Sequence, residues 1–311
     1  MNRKYLCQSI MMAVLSSSGP AQALNVQFDY RYDSGFFADS ERRAVLDYTA
    51  SLFSVLGDHL FPITAEGNNH WDVYFNNPSN ISTWATVNDL SVASDTVTVF
   101  VGGSAMGSGV LGYGTTGIIG EVSGTDSFVD SVYTRGQVNT SGDSATDYGV
   151  WGGSISFNAD ADWYWGFSVE GLDNNHHDFL TTAVHEVAHV LGYGTADSWF
   201  NFIQDDLFYG EASMAVYGAP VPVDAAHWGE GVTGDLNGSG QETLMDPSTP
   251  AGVRQLLTDL DYAGLADIGW RVDGEKPPSP SPVPIPAAMW FFSSALVLLF
   301  GRKYKLSVFK F

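Results

Sequence analysis

Two histidines and a glutamate lie within five consecutive positions, as His185, Glu186 and His189. Residues 179–191 carry apolar side chains at helical spacing, and Asp178 in front of them is a suitable N-cap. Histidines four apart lie on the same face of a helix, so both imidazoles can bind one metal ion. The neighbouring carboxylate can then take a proton from a water molecule at that ion. The spacing predicts a hydrolytic zinc site with Glu186 as the general base.

Residues 185–192 read HEVAHVLG, which resembles the metzincin family of zinc peptidases. In that family the glycine turns the chain and a third histidine follows three residues later, where this chain has Thr195. The one histidine further downstream is His227, and Met245 follows it in the sequence ETLMDP. This order resembles the leishmanolysin-like variant, in which an insertion separates the glycine from the third histidine. The resemblance implies that His227 is the third zinc ligand and that Met245 is a buried turn methionine.

Other residues compete with His227 for the third ligand position, because a catalytic zinc ion needs three protein ligands and one open position. Asp197 lies close to the glycine turn. Glu211 lies at a distance typical of zinc hydrolases that take a glutamate from a second helix. Those enzymes usually continue their active-site helix without a glycine turn, so Gly192 favours His227. Asp197 and Glu211 remain open alternatives.

The residues around the motif predict mixed secondary structure. Residues 41–56 have the apolar spacing of a helix, whereas residues 70–157 alternate short β-rich runs with turn residues. Within them, residues 151–158 alternate apolar and small polar side chains, as an edge strand would, and an ordinary strand is the alternative. In the metzincin family, which the motif resembles, such an edge strand pairs with extended substrate. Residues 253–270 resemble the C-terminal helix that closes metzincin catalytic domains.

The expected fold class is α+β, with one domain over residues 24–273. The metzincin resemblance implies a zincin catalytic domain whose N-terminal lobe holds a twisted mixed sheet and the active-site helix. It also implies a smaller C-terminal lobe that is mainly helical or irregular.

Two further sets of residues could contact ions or line the site. Residues 235–241 resemble an oxygen-rich calcium loop but lack the remaining acidic ligands of an EF-hand, so calcium is a second possible ion and a plain turn is the alternative. Four histidines are left without a role, although the last two precede the helix closely enough to line a cleft. They are His59, His70, His176 and His177.

The N-terminal residues have the features of a secretory signal peptide. Arg3 and Lys4 precede an apolar run, and small residues end at Ala23, which predicts cleavage after that residue. The only cysteine of the chain, Cys7, lies within this segment. The exported protein is therefore expected to have no disulfide and to depend on its core or on a metal ion for stability.

The C-terminal residues differ in kind from the rest of the chain. Residues 274–284 are rich in proline and serine and predict an extended linker. The sequence VPIPAAMW, which begins at Val283, a short apolar run and a basic end resemble the PEP-CTERM sorting signal, and residues 285–311 are expected to form its sorting segment with a short transmembrane segment. The resemblance implies a Gram-negative bacterium and processing by an exosortase-type sorting peptidase. Until then the protein would be anchored in the inner membrane, with its acidic body outside.

Charge excludes one class of partner. Between residues 24 and 273 the chain has 34 acidic residues against six basic ones, and the whole chain carries a formal net charge of −22 at pH 7. A surface with this charge repels the phosphate backbone of nucleic acids, so we expect no nucleic-acid partner. Most of the carboxylates are expected to be solvated surface groups without a specific role.

These features predict an exported zinc endopeptidase that acts on protein or peptide substrates at the cell surface or outside the cell. One alternative is a noncatalytic matrix or surface module that keeps the metal for stability. Glu186 argues against it, because a purely structural site has no need of a general base. Another alternative is a zinc hydrolase that cleaves a different bond, because the motif specifies activation of water and not the scissile group.

Overall fold

The computed structural model describes residues 22–273, which contain both helices and strands. The α-helices of this region are α1 (Ser40–Leu52), α2 (Asp126–Thr134), α3 (Phe179–Val190), α4 (Asp197–Asn201), α5 (Glu211–Tyr217) and α6 (Asp259–Asp267). The strands up to α3 are β1 (Gln22–Ala23), β2 (Asn25–Asp29), β3 (Leu56–Asp58), β4 (His70–Asn77), β5 (Asn80–Asn88), β6 (Thr96–Ser104), β7 (Gly112–Thr116), β8 (Ile118–Ser123), β9 (Gly152–Asn158), β10 (Trp163–Tyr164) and β11 (His177–Asp178). Those after α3 are β12 (Ile203–Gln204), β13 (Leu207–Phe208), β14 (Val221–Asp224), β15 (His227–Trp228), β16 (Thr233–Leu236), β17 (Ser239–Glu242) and β18 (Arg271–Val272). The fold is therefore of the α+β class.

The two ends of the chain lie almost entirely outside the described residues. Of the expected signal peptide only Gln22–Ala23 is described, and it forms β1. The expected linker, 274–284, and the expected sorting signal, 285–311, both lie outside. Between residues 22 and 273, no helix has the length and apolar character needed to cross a membrane.

A four-stranded mixed sheet forms the centre of the fold, with the strand order β2, β6, β9, β7. The first three strands run parallel, and β7 pairs antiparallel with β9 at the edge. Apolar residues of β6 face both ways, so that Val97, Val99 and Val101 join one buried cluster and Phe100 joins another. Because successive strand residues point to opposite faces, this sheet is covered on both sides.

The prediction of an edge strand at residues 151–158 is wrong. These residues form β9, which lies between β6 and β7, and all of its residues are buried. Glycine and serine are small enough to be packed between layers, so their alternation with apolar residues did not indicate exposure. The edge strand is instead β7, whose sequence GYGTT has glycine, a residue depleted in strands, at two of its five positions.

Helices cover one face of the central sheet. In one buried cluster, Val45 and Leu46 of α1 join Ala183 and Val187 of α3 and Ile155 of β9. Against the other face lies the three-stranded sheet β5, β4, β8, where the Phe75 and Phe100 rings stack 4.1 Å apart. The helix α3 is thus held between α1 and the strands β7 and β9.

Two predicted helices are shorter than expected. The helix expected over residues 41–56 begins at Ser40, after the N-cap Asp39, and ends at Leu52. Leu56 instead begins β3, which pairs with β1 and β18. The helix expected over residues 253–270 is confirmed for Asp259–Asp267, where Thr258 and Asp261 form a capping box that fixes its start.

After α3 the chain forms short hairpins as well as short helices. Strands β12 to β15 form one antiparallel sheet, and β16 pairs with β17. The expectation of a mainly helical or irregular C-terminal region therefore holds only in part, because tight turns at residues 205–206, 225–226 and 237–238 close hairpins of two to four residues per strand.

Candidate metal centre

The helix α3 begins and ends at residues that suit those positions. The Asp178 carboxylate accepts a hydrogen bond from Thr181 N at 3.1 Å and so caps the first turn. At the other end Gly192 has φ +103°, a left-handed conformation that favours glycine. There Tyr193 N donates to Ala188 O at 3.0 Å, which closes the last turn. The observed helix, Phe179–Val190, confirms the sequence prediction to within one residue.

Three histidine side chains converge at one point of the molecule. The Nε2 atoms of His185 and His189 lie 3.1 Å apart, and each lies 3.2 or 3.1 Å from Nε2 of His227. Tetrahedral zinc with Zn–N bonds of about 2.0–2.1 Å places its nitrogen ligands roughly 3.3 Å apart. The spacing of the three nitrogens therefore fits a single metal ion. The chain brings His227 to this place on β15, which pairs with β14.

The opposite ring nitrogens of two histidines are held by backbone carbonyls. His185 Nδ1 donates to Leu244 O at 2.9 Å, and His189 Nδ1 donates to Tyr193 O at 2.7 Å. A proton on Nδ1 leaves the lone pair of Nε2 free, and the carbonyl fixes the orientation of the ring. Both rings are thus held in the tautomer that a metal ion requires.

Burial keeps the three imidazoles neutral. It lowers the pKa of His185 to about 4, with a smaller contribution from the neighbouring His227. Burial also lowers the pKa of His189 well below its ordinary value, and that of His227 less strongly. Metal ions compete with protons for imidazole, so side chains that are neutral near pH 7 are suited to bind one.

Glu186 lies beside this group and is almost fully buried, with 7% of its surface exposed. Its Oε2 atom accepts a hydrogen bond of 2.5 Å from the backbone N–H of Gly114 on β7. Burial raises the pKa of its carboxyl to about 7, and the hydrogen bond from Gly114 opposes that shift. Sequence reasoning did not anticipate the role of β7, since nothing local in GYGTT indicates contact with a helix 72 positions away.

The site opens into a cleft of about 1030 Å³. One side of the cleft is β7, and another is the segment 247–249, which follows Met245. Asn158 N donates to Leu111 O and Gly117 N donates to Gly152 O, so the odd-numbered residues around β7 pair with β9. The backbone groups of Gly112, Gly114 and Thr116 therefore face the free edge of the sheet.

Met245 is fully buried and belongs to the same apolar cluster as Ala188 of α3. Its carbonyl accepts a hydrogen bond of 2.9 Å from Trp228 N, next to His227. The fully buried Asp261 carboxylate accepts hydrogen bonds from Leu244 N and Met245 N. Leu244, whose carbonyl accepts the hydrogen bond from His185, is thus held to α6 through Asp261.

The competing candidates for the third ligand lie elsewhere. Asp197 begins α4, and its Oδ2 accepts a hydrogen bond of 2.6 Å from Gly142 N. Glu211 begins α5. Neither belongs to the histidine group within the described part of the chain. Thr195 lines the cleft and donates its hydroxyl to His189 O at 2.7 Å.

Residues 235–241, the proposed calcium loop, form the end of the hairpin of β16 and β17, with Asn237 and Gly238 in its turn. Asp235 Oδ1 accepts a hydrogen bond from Gly238 N, as a turn residue does. The carboxylates that do lie together are those of Glu230, Glu242 and Asp246, whose positions in the sequence gave no metal-binding pattern.

The four unassigned histidines are outside the metal group. His70 lies 3.2 Å from Asp89, and His176 lies 2.7 Å from Asp173. His59 is exposed. Only His177 lines the cleft, where its ring packs against that of Trp163.

Comparison with known proteins does not identify this arrangement. No family model, no curated protein and no solved structure matches the chain. The geometry of the site is therefore the basis for a functional assignment.

Proposed function

We propose that this chain is an exported zinc-dependent endopeptidase of metzincin type, similar to the leishmanolysin-like variant. The observation that carries the proposal is the convergence of His185, His189 and His227 beside a buried glutamate at the wall of an open cleft. Three neutral imidazoles and no carboxylate are a donor set that suits zinc. The order of glycine, distant histidine and buried methionine supports the metzincin type.

Each protein group has a separate task. The three Nε2 atoms would hold a zinc ion, which would supply a Lewis acid and lower the pKa of its water to about 7. The Glu186 carboxylate accepts the proton of the water that attacks the scissile carbonyl, and then gives that proton to the leaving amine. Leu244 O and Tyr193 O keep the imidazoles of His185 and His189 oriented.

The free edge of β7 supports a polymeric, extended substrate. It runs along the cleft, and its outward-facing backbone groups, apart from the Gly114 N–H that donates to Glu186, can pair with a peptide in β conformation. Backbone pairing does not depend on the substrate's side chains. Recognition of the substrate backbone in this way is typical of endopeptidases. A noncatalytic module would need the three histidines but neither the cleft nor Glu186, and a hydrolase of non-peptide bonds would not need the strand edge.

Zinc content and proteolysis test the proposal together. The purified protein, Glu186→Ala and the matched control Glu66→Ala, at an exposed position outside the cleft, are compared on a denatured protein substrate. We expect about one zinc ion per chain in all three, and cleavage by wild type and Glu66→Ala only. Equal inactivity of all zinc-loaded proteins on a broad peptide panel would exclude a peptidase. Cleavage of esters or N-acylated sugars, without cleavage of peptides, would favour a zinc hydrolase that acts on non-peptide bonds.

The expected signal peptide and the expected sorting signal lead to a proposal about where the protein is located. The protein is exported with cleavage after Ala23, passes through an inner-membrane stage anchored by residues 285–311, and is processed there by an exosortase-type peptidase. Mass spectrometry of the mature protein from the native bacterium identifies its first and last residues. A mature chain that begins at residue 24 and lacks the basic end is expected, whereas an intact C-terminus in the mature pool would contradict processing.

A further inference from the structure

The strand β7 approaches Glu186 more closely than side chains on that strand would permit. A Cβ atom added to Gly112 would lie 2.6 Å from Glu186 Oε1 and 2.7 Å from its Cγ. A Cβ atom added to Gly114 would lie 2.4 Å from the Glu186 backbone oxygen. Real Cβ contacts are longer than these, so each position requires glycine for the present contact between strand and helix.

The two glycines act on the same side of the strand. Residues two apart in a strand share a face, so the missing side chains of Gly112 and Gly114 both leave space toward α3. Tyr113, between them, points to the opposite face. Absence of side chains at alternate positions thus forms a slot on β7, and the side chain of Glu186 occupies it.

The slot also supplies a hydrogen-bond donor. The Gly114 N–H faces the free edge and not β9, so it has no partner in the sheet ladder. It donates to Glu186 Oε2 at 2.5 Å instead. A hydrogen bond to a carboxylate is stronger than one between neutral groups, and the carboxylate is held by a rigid element.

We propose that Gly112 and Gly114 are positioning residues that fix the Glu186 carboxylate. Gly114 binds Oε2 through its N–H, and Gly112 leaves the space in which Oε1 lies. The inference rests on the proposed function in one respect, namely that Glu186 is the general base. The fixed orientation of the carboxylate is a separate claim, and it is measurable without substrate.

Amide hydrogen exchange measures the contact directly. Protein labelled with ¹⁵N-glycine is compared as wild type and Glu186→Ala, and the amide of Gly117, which donates to Gly152 O, is the internal control. We expect the Gly114 amide to exchange at least about tenfold faster in the variant, while Gly117 is unchanged. Equal exchange at Gly114 in both proteins would overturn the hydrogen bond and with it the proposal.

Kinetics measure the consequence for catalysis. Gly112→Ala introduces the overlap with the Glu186 side chain, whereas Gly240→Ala on β17, with open space around it, is the matched control. For Gly112→Ala we expect kcat to fall by at least about tenfold, with KM within twofold of wild type and with zinc content unchanged. Gly240→Ala is expected to match wild type. Wild-type kcat in a folded Gly112→Ala protein would refute the positioning role.

The two experiments separate this inference from the proposed function. If wild type cleaves nothing while the Gly114 amide is protected by Glu186, the endopeptidase proposal fails and the fixed carboxylate stands. If wild type cleaves peptides but Glu186 does not protect the Gly114 amide, the endopeptidase proposal stands and the fixed carboxylate is refuted. Should Gly112→Ala fail to fold, the exchange measurement on wild type and Glu186→Ala decides alone.

Discussion

Arg254 and Asp178 form a buried, two-pronged ion pair, with Nη2 2.6 Å from Oδ1 and Nε 2.8 Å from Oδ2. Their side chains are only 5% and 0% exposed. Asp178 caps the N-terminus of α3, and Arg254 also donates to Phe167 O and Gly166 O. The pair therefore fixes the segment before α6 to the beginning of the helix that carries two of the metal-binding histidines.

Removing the guanidinium should be costly because the Asp178 carboxylate would stay buried without its counterion. We expect Arg254→Ala to lower the free energy of unfolding by about 3–5 kcal/mol. Urea denaturation of wild type and variant measures it. Arg271→Ala, which breaks the exposed pair with Asp273, is the control and should change stability by about 0–1 kcal/mol. Similar losses in both variants would contradict the importance of burial.

Loss of His227 should weaken zinc binding more than loss of a group that only orients a ligand. Removal of such an orienting partner costs about 10–100-fold in metal affinity, and removal of a ligand itself should exceed that range. Competition with a chromophoric chelator measures the Kd of wild type and His227→Ala. His59→Ala, at an exposed position, is the control. Full zinc affinity in His227→Ala would return Asp197 and Glu211 to consideration.

Zinc should stabilise the folded chain, because the three histidines converge only when α3 and β15 are in place. At a free zinc concentration 100-fold above Kd, linkage predicts about 2.7 kcal/mol of added stability. Urea denaturation with buffered zinc and with excess chelator measures it. Glu186→Ala should retain the whole gain because Glu186 is not a ligand. A loss of the gain in that variant would place Glu186 among the ligands.

The metal-binding helix could be predicted from the sequence because its determinants are local. The apolar spacing, the N-cap Asp178 and the terminating Gly192 are all within or next to α3, and the observed bounds differ from the expected ones by one residue. The position of His227 could be predicted only through resemblance. No local pattern shows that hairpin pairing of β14 with β15 returns the chain to α3.

The remaining features depend on contacts between distant segments. The glycines of β7 read as a turn, and only their packing against Glu186 explains them. Alternation in residues 151–158 suggested an edge because small residues satisfy a buried pattern as well as an exposed one. Arg254 stands alone in its segment as a basic residue, and the sequence does not indicate that its partner is 76 positions away.

Asp147 should make the stability of the protein depend on pH. Burial raises the pKa of its carboxyl to about 6, while the hydrogen bond from Tyr148 N opposes the shift. The folded state then holds a proton over the range from about pH 4 to pH 6, in which the unfolded chain has already lost it. This contribution to stability is complete below about pH 4 and is lost as the pH rises through about 6.

Replacing Asp147 with asparagine should remove that dependence, because the amide keeps an oxygen for Tyr148 N and does not titrate. We expect the free energy of unfolding of Asp147→Asn, relative to wild type, to increase between pH 4 and pH 6 and to stay level above pH 7. Urea denaturation in chelator at several pH values measures the difference, which cancels the other titrating groups common to both proteins. A difference that is constant across this range would mean that Asp147 has the same pKa in the folded and unfolded states.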